Sequence, residues 1–204
     1  MTGADTPIIY VVDDDDAMRD SLAFLIGSVG YACSCHPSAE DFLARHHPGR
    51  PGCLVVDIRM PGMSGLDLQR ALNERETTLS IIFVTGHGDI PMAVRALRAG
   101  AIDFLEKPFN DQALLDRIGE AVRASHEATL LQNRHAEIAQ RLDGLSPRER
   151  AVLDRVAGGK PNKVIAAELS ISQKTVEVHR HNVMSKMGVR SAAELARLIA
   201  IKSP

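Results

Sequence analysis

The chain has 204 residues, 45% of them apolar, with 24 Lys+Arg against 26 Asp+Glu for a formal charge of −2. That length suits one or two domains, and the apolar share is enough to build cores, which excludes disorder as the main state. No apolar run approaches the ~20 residues of a membrane helix, and residues 1–10 lack the order of a signal peptide, so a cytoplasmic protein is expected. Three cysteines (Cys33, Cys35, Cys53) are too few for a disulfide framework, lack zinc-site spacing and read as reduced core thiols.

In chain order, residues 8–12, 53–56, 81–84 and 102–105 are short apolar runs rich in β-formers, with 31–35 a weaker fifth. Between them lie helical patterns at about 16–29, 39–46, 66–74, 91–99 and 111–124; the first places Met18, Leu22, Leu25, Ile26 and Val29 on one face. Gly30, Gly52, Gly86 and Gly100 mark element ends. The alternation predicts an α/β (βα)5 doubly wound domain over residues 6–124. Residues 125–142 read as a helical linker, with Ala128, Leu131, His135, Ile138 and Leu142 at the spacing of a coiled-coil seam or of a solvated helix.

Residues 143–204 read as four short helices forming a small all-α domain. Ser146-Pro147-Arg148-Glu149 combines a capping Ser, a Pro at the first helical position and a Glu three residues after the cap. Ser191 and Glu194 offer a second capping box, and a tight turn at 170–172 separates two helices as in a helix-turn-helix. Charge divides in the same place: residues 1–144 hold 13 Lys+Arg against 21 Asp+Glu, −8, and residues 145–204 hold 11 against 5, +6. The basic part is a candidate for binding a polyanion.

Asp13 and Asp14 follow the first strand, Asp57 the third, Thr85 the fourth and Lys107 the fifth. In an open parallel sheet these ends converge on one crevice. Three carboxylates there call for a compensating cation, and an all-oxygen set favours Mg²⁺. An Asp beside such an ion can attack a phosphoryl group. Asp57 is then the nucleophile, Asp13 and Asp14 ligate the metal, Lys107 pairs with the phosphoryl oxygens and Thr85 donates to them. Asp15 and Asp16 suit the first turn of a helix, and His46 and His47 an exposed helix end.

These residues, in Val-Val-Asp13-Asp14-Asp15, Val-Val-Asp57-Ile-Arg-Met-Pro-Gly62, Val-Thr85-Gly-His-Gly-Asp89 and Glu-Lys107-Pro-Phe109, resemble the flavodoxin-like receiver domain of two-component response regulators. The resemblance implies Asp57 as the phosphoacceptor, metal ligation by the Arg59 carbonyl, a cis Lys107–Pro108 bond, and a switch through Thr85, Phe104 and the helix from Asp89 to Ala99, with Mn²⁺ an alternative to Mg²⁺. In the last 60 residues, Leu145-Ser-Pro-Arg-Glu149-Arg, Gly159-Lys-Pro-Asn-Lys163-Val-Ile-Ala and Thr175-Val-Glu-Val-His179-Arg-His-Asn-Val-Met-Ser-Lys186-Met-Gly resemble the LuxR/NarL-type DNA-binding domain.

That second likeness implies Glu177, Val178 and His181 at base edges, and Asn162, Lys163, Thr175, His179, Arg180 and Lys186 at the sugar-phosphate backbone. It also implies a dimer through Leu195, Leu198 and Ile199 on an inverted repeat. The whole is similar to the FixJ/StyR subgroup, implying a transcription factor with a sensor histidine kinase, promoter DNA and RNA polymerase as partners. Two other readings stand beside it. One is a phosphohydrolase with an aspartyl-phosphate intermediate, although haloacid-dehalogenase-like enzymes carry an Asp where this chain has Arg59; the other is a receiver joined to a protein or RNA adaptor.

Overall fold

A computed structural model describes residues 6–46, 49–86 and 90–200. The chain divides into two compact units, one up to Leu130 and one from Leu131 onward. The first contains β1 (Ile8–Val12), α1 (Asp16–Ser28), β2 (Ala32–His36), α2 (Ala39–Arg45), β3 (Gly52–Val56), α3 (Gly65–Glu74), β4 (Ser80–Thr85), α4 (Ile90–Arg98) and β5 (Asp103–Glu106). All strand pairs are parallel, in the order β2-β1-β3-β4-β5.

Because successive side chains of a strand point to opposite faces, the sheet splits its core in two. Tyr10, Val12, Leu54, Val56 and Phe83 pack on one side with Phe42 of α2, Leu68 and Leu72 of α3 and Ala96 of α4. Ile9, Val11, Cys53, Val55 and Ile82 pack on the other with Leu22 and Ile26 of α1 and with Leu114 and Ile118. This doubly wound layering buries both faces of the inner strands, which is why they read as unbroken apolar runs.

The sequence places the fifth helix at 111–124, but α5 runs unbroken from Asp111 to Asp143. Residues 125–143 contain neither Pro nor Gly, so nothing stops the helix before Gly144. The supposed seam is split in use. Ile138 and Leu142 are buried in the core of the second unit, while Leu131 is exposed.

Other local expectations need correction. Val29 caps α1 and is half-exposed, so only Leu22 and Ile26 of the predicted face are fully buried. Gly52 does open β3 as expected, and a Cβ there would collide with the backbone carbonyl of Ile8 on the neighbouring strand. His46 is not an exposed helix end: its ring stacks on Phe42 at 4.9 Å and meets Tyr10 edge-on at 5.3 Å. Of the three thiols only Cys53 is a core group; Cys33 is half-buried and Cys35 exposed. His47 and Asp89 lie outside the described residues.

The second unit contains the end of α5, α6 (Pro147–Ala157), α7 (Asn162–Leu169), α8 (Gln173–Met187) and α9 (Ala192–Ala200). Ile138, Leu142, Val152, Leu153, Ile165, Val176, Val183, Met187 and Leu195 form its core. The Ser146/Glu149 capping box is complete, with Glu149 Oε2 accepting from the Ser146 N–H at 2.8 Å. At α9 the box is half formed. The Glu194 N–H donates to Ser191 Oγ, but the Glu194 carboxylate accepts from the Arg190 N–H. Among the described residues no helix is long and apolar enough to cross a membrane.

Candidate functional site

The crevice lies beyond the carboxyl ends of the strands, at β1, where the chain turns from one side of the sheet order to the other. Val12 and Val56 are register partners, and the Asp57 N–H donates to the Val12 carbonyl at 2.9 Å. The ladder therefore continues one residue past the strands and sets Asp13 beside Asp57. The Lys107 N–H donates to the Thr85 carbonyl at 2.9 Å, which brings the end of β5 to the end of β4. Lys107–Pro108 is cis.

Asp13 is only 2% exposed. Its Oδ1 accepts from the Asp15 N–H at 2.9 Å and its Oδ2 from Lys107 Nζ at 2.7 Å. The same ammonium reaches Asp57 Oδ2 at 3.0 Å, while Asp57 Oδ1 accepts from the Arg59 N–H at 3.0 Å. Burial by itself would pull the Lys107 ammonium down, but hydrogen bonds and attraction from Asp13 and Asp57 outweigh it and hold the group above its ordinary value. Asp14 is exposed at the rim, and one carboxylate oxygen each from Asp13, Asp14 and Asp57 lie within 4.8 Å of one another. An all-oxygen cluster of this kind fits a hard divalent cation such as Mg²⁺.

Thr85 is buried at the end of β4. Phe104 is half-buried on β5, opposite Phe83, against the cluster that contains Ala96 of α4. Asp15 caps α1, accepting from the Ala17 and Met18 N–H groups, and Asp16 lies in its first turn. Sequence reasoning passed over two supporting residues. Arg19 donates to the Asp13 carbonyl at 2.6 Å and pairs with Asp16. Gly65 starts α3 so close to the Asp57 carbonyl that a Cβ would collide with it. A basic residue in the second turn after an Asp-rich strand end was the available signal for the first; nothing local signals the second, because the approach is tertiary.

In the second unit Ser170, at φ 54°, turns α7 into α8 and Ser172 caps α8. Val176, Val183 and Met187 are buried, which leaves Lys174, Glu177, Val178, His181 and Ser185 on an exposed face; Val178 is 54% exposed, unusual for an apolar side chain. Lys163 is exposed and Thr175 half-buried. Arg180 is half-buried and donates to Asn162 Oδ1 at 3.1 Å, linking α8 to the start of α7. His179 is half-buried, and its Nδ1 has no hydrogen-bond partner. Lys186 is held by Glu149 Oε2 at 2.7 Å and the Gly144 carbonyl at 3.2 Å, so its ammonium serves the capping box of α6. This contact lowers the Glu149 pKa to about 2, aided by the Ser146 N–H. Leu195 is 0% exposed and belongs to the unit's own core, so it cannot be a dimer contact; Leu198 and Ile199 are half-buried against the same core.

Residues 9–119 match the response regulator receiver domain, and residues 143–199 match the bacterial regulatory proteins of the luxR family. The chain belongs to the response regulators. It is 48% identical over 190 residues to the transcriptional regulatory protein FixJ of Azorhizobium caulinodans, covering 93% of this chain and 90% of that protein. The response regulator protein TodT of Pseudomonas putida is 46% identical over 191 residues, covering 94% and 84%. Among solved structures, the response regulator StyR matches with a TM-score of 0.87 at 45% identity, covering 96% of this chain and 98% of that one. This response regulator is thus a FixJ/TodT-like transcriptional regulator with a receiver and a LuxR-type DNA-binding domain.

Proposed function

We propose that this response regulator accepts a phosphoryl group on Asp57 from a sensor histidine kinase in the cytoplasm and thereby gains affinity for promoter DNA. The observation that carries the proposal is the Lys107 ammonium held between Asp13 and Asp57 on a chain whose second unit exposes a helix-turn-helix face. An Asp57 oxygen forms a bond to phosphorus as the bond from phosphorus to the donor's nitrogen breaks, giving an acyl phosphate. The Arg59 N–H holds the carboxylate in place for this attack, and Lys107 pairs with the phosphoryl oxygens while retaining Asp13. Bound Mg²⁺, or Mn²⁺, supplies charge neutralisation on the transferred oxygens. Asp13, Asp14, Asp57 and the Arg59 carbonyl would hold it. With Arg59 where a hydrolase of this chemistry has an acid/base, self-dephosphorylation is slow and the product persists as a signal.

Phosphate gives the two states a differential contact. It draws the Thr85 hydroxyl inward, Phe104 moves into the space behind it, and the surface of α4 and β5 changes. That surface carries Ile90, Val94 and Leu97 in an exposed stripe on α4, an apolar face suited to a second copy of the chain. A dimer pairs two second units on an inverted repeat, with Leu198 and Ile199 at its edge, and the bound dimer contacts RNA polymerase. Glu177, Val178 and His181 read bases; Lys163 and Asn162 at the start of α7, together with Thr175, His179 and Arg180, meet phosphates. Lys186 joins them only by leaving Glu149. Treating the protein with a small-molecule phosphodonor and Mg²⁺ should raise both its mass in solution and its duplex affinity, with no change in Asp57→Asn. Equal responses in the two proteins would overturn the proposal.

A further inference from the structure

Two of the three thiols have no part in the chemistry above. Cys33 and Cys35 are two residues apart on β2, an edge strand of the sheet, so their side chains share one face. Their sulfurs lie 3.8 Å apart. Cys35 is exposed, so the pair can be reached from solvent.

The separation selects the chemistry. A disulfide needs the sulfurs at ~2.0 Å and the Cβ atoms ~3.5–4.5 Å apart, whereas two strand steps separate same-face Cβ atoms by about 6.6 Å, so direct bonding would force the strand to bend. A bridging atom removes that demand. Two bonds of ~2.3 Å to a pyramidal trivalent centre, at an angle of roughly 95–100°, span about 3.4–3.5 Å, within a few tenths of an ångström of the 3.8 Å found. We propose that Cys33 and Cys35 form a two-thiol chelate for a soft, thiophilic centre that requires only two protein sulfurs, such as a monosubstituted trivalent arsenical.

The restriction to two sulfurs follows from the surroundings. Among the described residues the one group of three or more potential metal-ligating side chains is Asp13, Asp14 and Asp57, so the thiol pair has no third and fourth protein ligand for a zinc-type site. Ser34 and His36 alternate away from the thiols and bond to each other, Ser34 Oγ to His36 Nε2 at 3.0 Å. A monosubstituted arsenical brings its own third substituent. In the hydrated arsenical two As–OH bonds are replaced by two As–S bonds, each thiol proton leaves with one arsenic-bound hydroxide as water, and arsenic stays trivalent. Burial, together with the neighbouring Cys35, pushes the Cys33 thiol up to about 12, so it remains protonated until a ligand displaces the proton.

Intact mass of the reduced full-length protein after phenylarsine oxide and excess monothiol tests the site. Wild type and Cys53→Ala should retain one arsenical per chain, released only by a dithiol. Cys33→Ser and Cys35→Ser should need about 100-fold more reagent for the same occupancy, because the second sulfur then no longer acts at high effective concentration. Phosphoryl uptake at Asp57 verifies that each variant is folded. Should a variant fail that check, the wild-type contrast between monothiol and dithiol decides alone. Release of the arsenical from wild type by the monothiol, or full retention in either serine variant, would overturn the proposal.

Discussion

The Asp13/Asp57/Lys107 crevice and the exposed face of α8 are built on opposite principles. In the crevice Asp13, Asp57 and Lys107 each stand one residue past a strand end and are partnered before any ligand arrives: Asp13 with Lys107 and the Asp15 N–H, Asp57 with Lys107 and the Arg59 N–H. On α8, the core is held by Val176, Val183 and Met187, while Glu177, Val178 and His181 are left in solvent. Phosphoryl transfer gains from reacting groups fixed beforehand, whereas a reading surface must leave its donors and acceptors for the base edges. The same division explains Lys186, whose tie to Glu149 makes it part of the scaffold that aims α8.

The contrast breaks most visibly at Lys107. Lys107→Ala removes the cation shared by Asp13 and Asp57, and phosphoryl uptake from a small-molecule donor should slow by about 100- to 1000-fold. In the same variant Mg²⁺ should raise the melting temperature more than it does in wild type, since it then supplies the only charge compensation. Equal uptake rates in variant and wild type would show that the pairing is incidental.

A smaller effect is expected on the reading face. Glu177→Ala should change base preference at one position of a selected site by about 1–3 kcal/mol, while Lys163→Ala should weaken all duplexes alike and flatten the salt dependence. Selection from a random-duplex pool, repeated at two salt concentrations, checks both. The reverse pattern would place α8 elsewhere than in the groove.

The smallest effect concerns the scaffold. Ser146→Ala should cost the second unit about 1 kcal/mol. Glu149 titrates near 2 in the folded unit, below its ordinary value of 4.5, so its contribution is fully present above about 4.5 and is lost as pH falls toward 2. Thermal unfolding of wild type and Glu149→Gln should therefore differ at neutral pH and converge in acid. A gap that persists unchanged at low pH would rule out the Lys186 pairing as its origin.

Much of the receiver was legible because its chemistry follows its periodicity. The apolar runs mark the strands, and a polar residue one or two positions after four of them lies at the carboxyl end of the sheet, so Asp13, Asp57, Thr85 and Lys107 could be brought together without coordinates. Glycines and caps placed most of the helix limits, and the capping Ser146 with Glu149 located α6. What escaped notice depends on tertiary contact. No pattern distinguishes Leu195 in its own core from Leu195 on a dimer face, because an amphipathic stripe says only that something covers it. The ring contacts of His46 and the second bond made by Lys186 were hidden for the same reason, whereas the continuity of α5 was signalled by the absence of Pro and Gly over residues 125–143.

The central claim is that occupancy of Asp57 alters how the second unit holds a duplex. The most direct test is duplex affinity at fixed salt, measured on one sample before and after addition of Mg²⁺ with beryllium fluoride, a phosphoryl mimic. Wild type should gain at least tenfold, about 1.4 kcal/mol, and Asp57→Asn should gain nothing. No gain in wild type, or the same gain in both proteins, would contradict it.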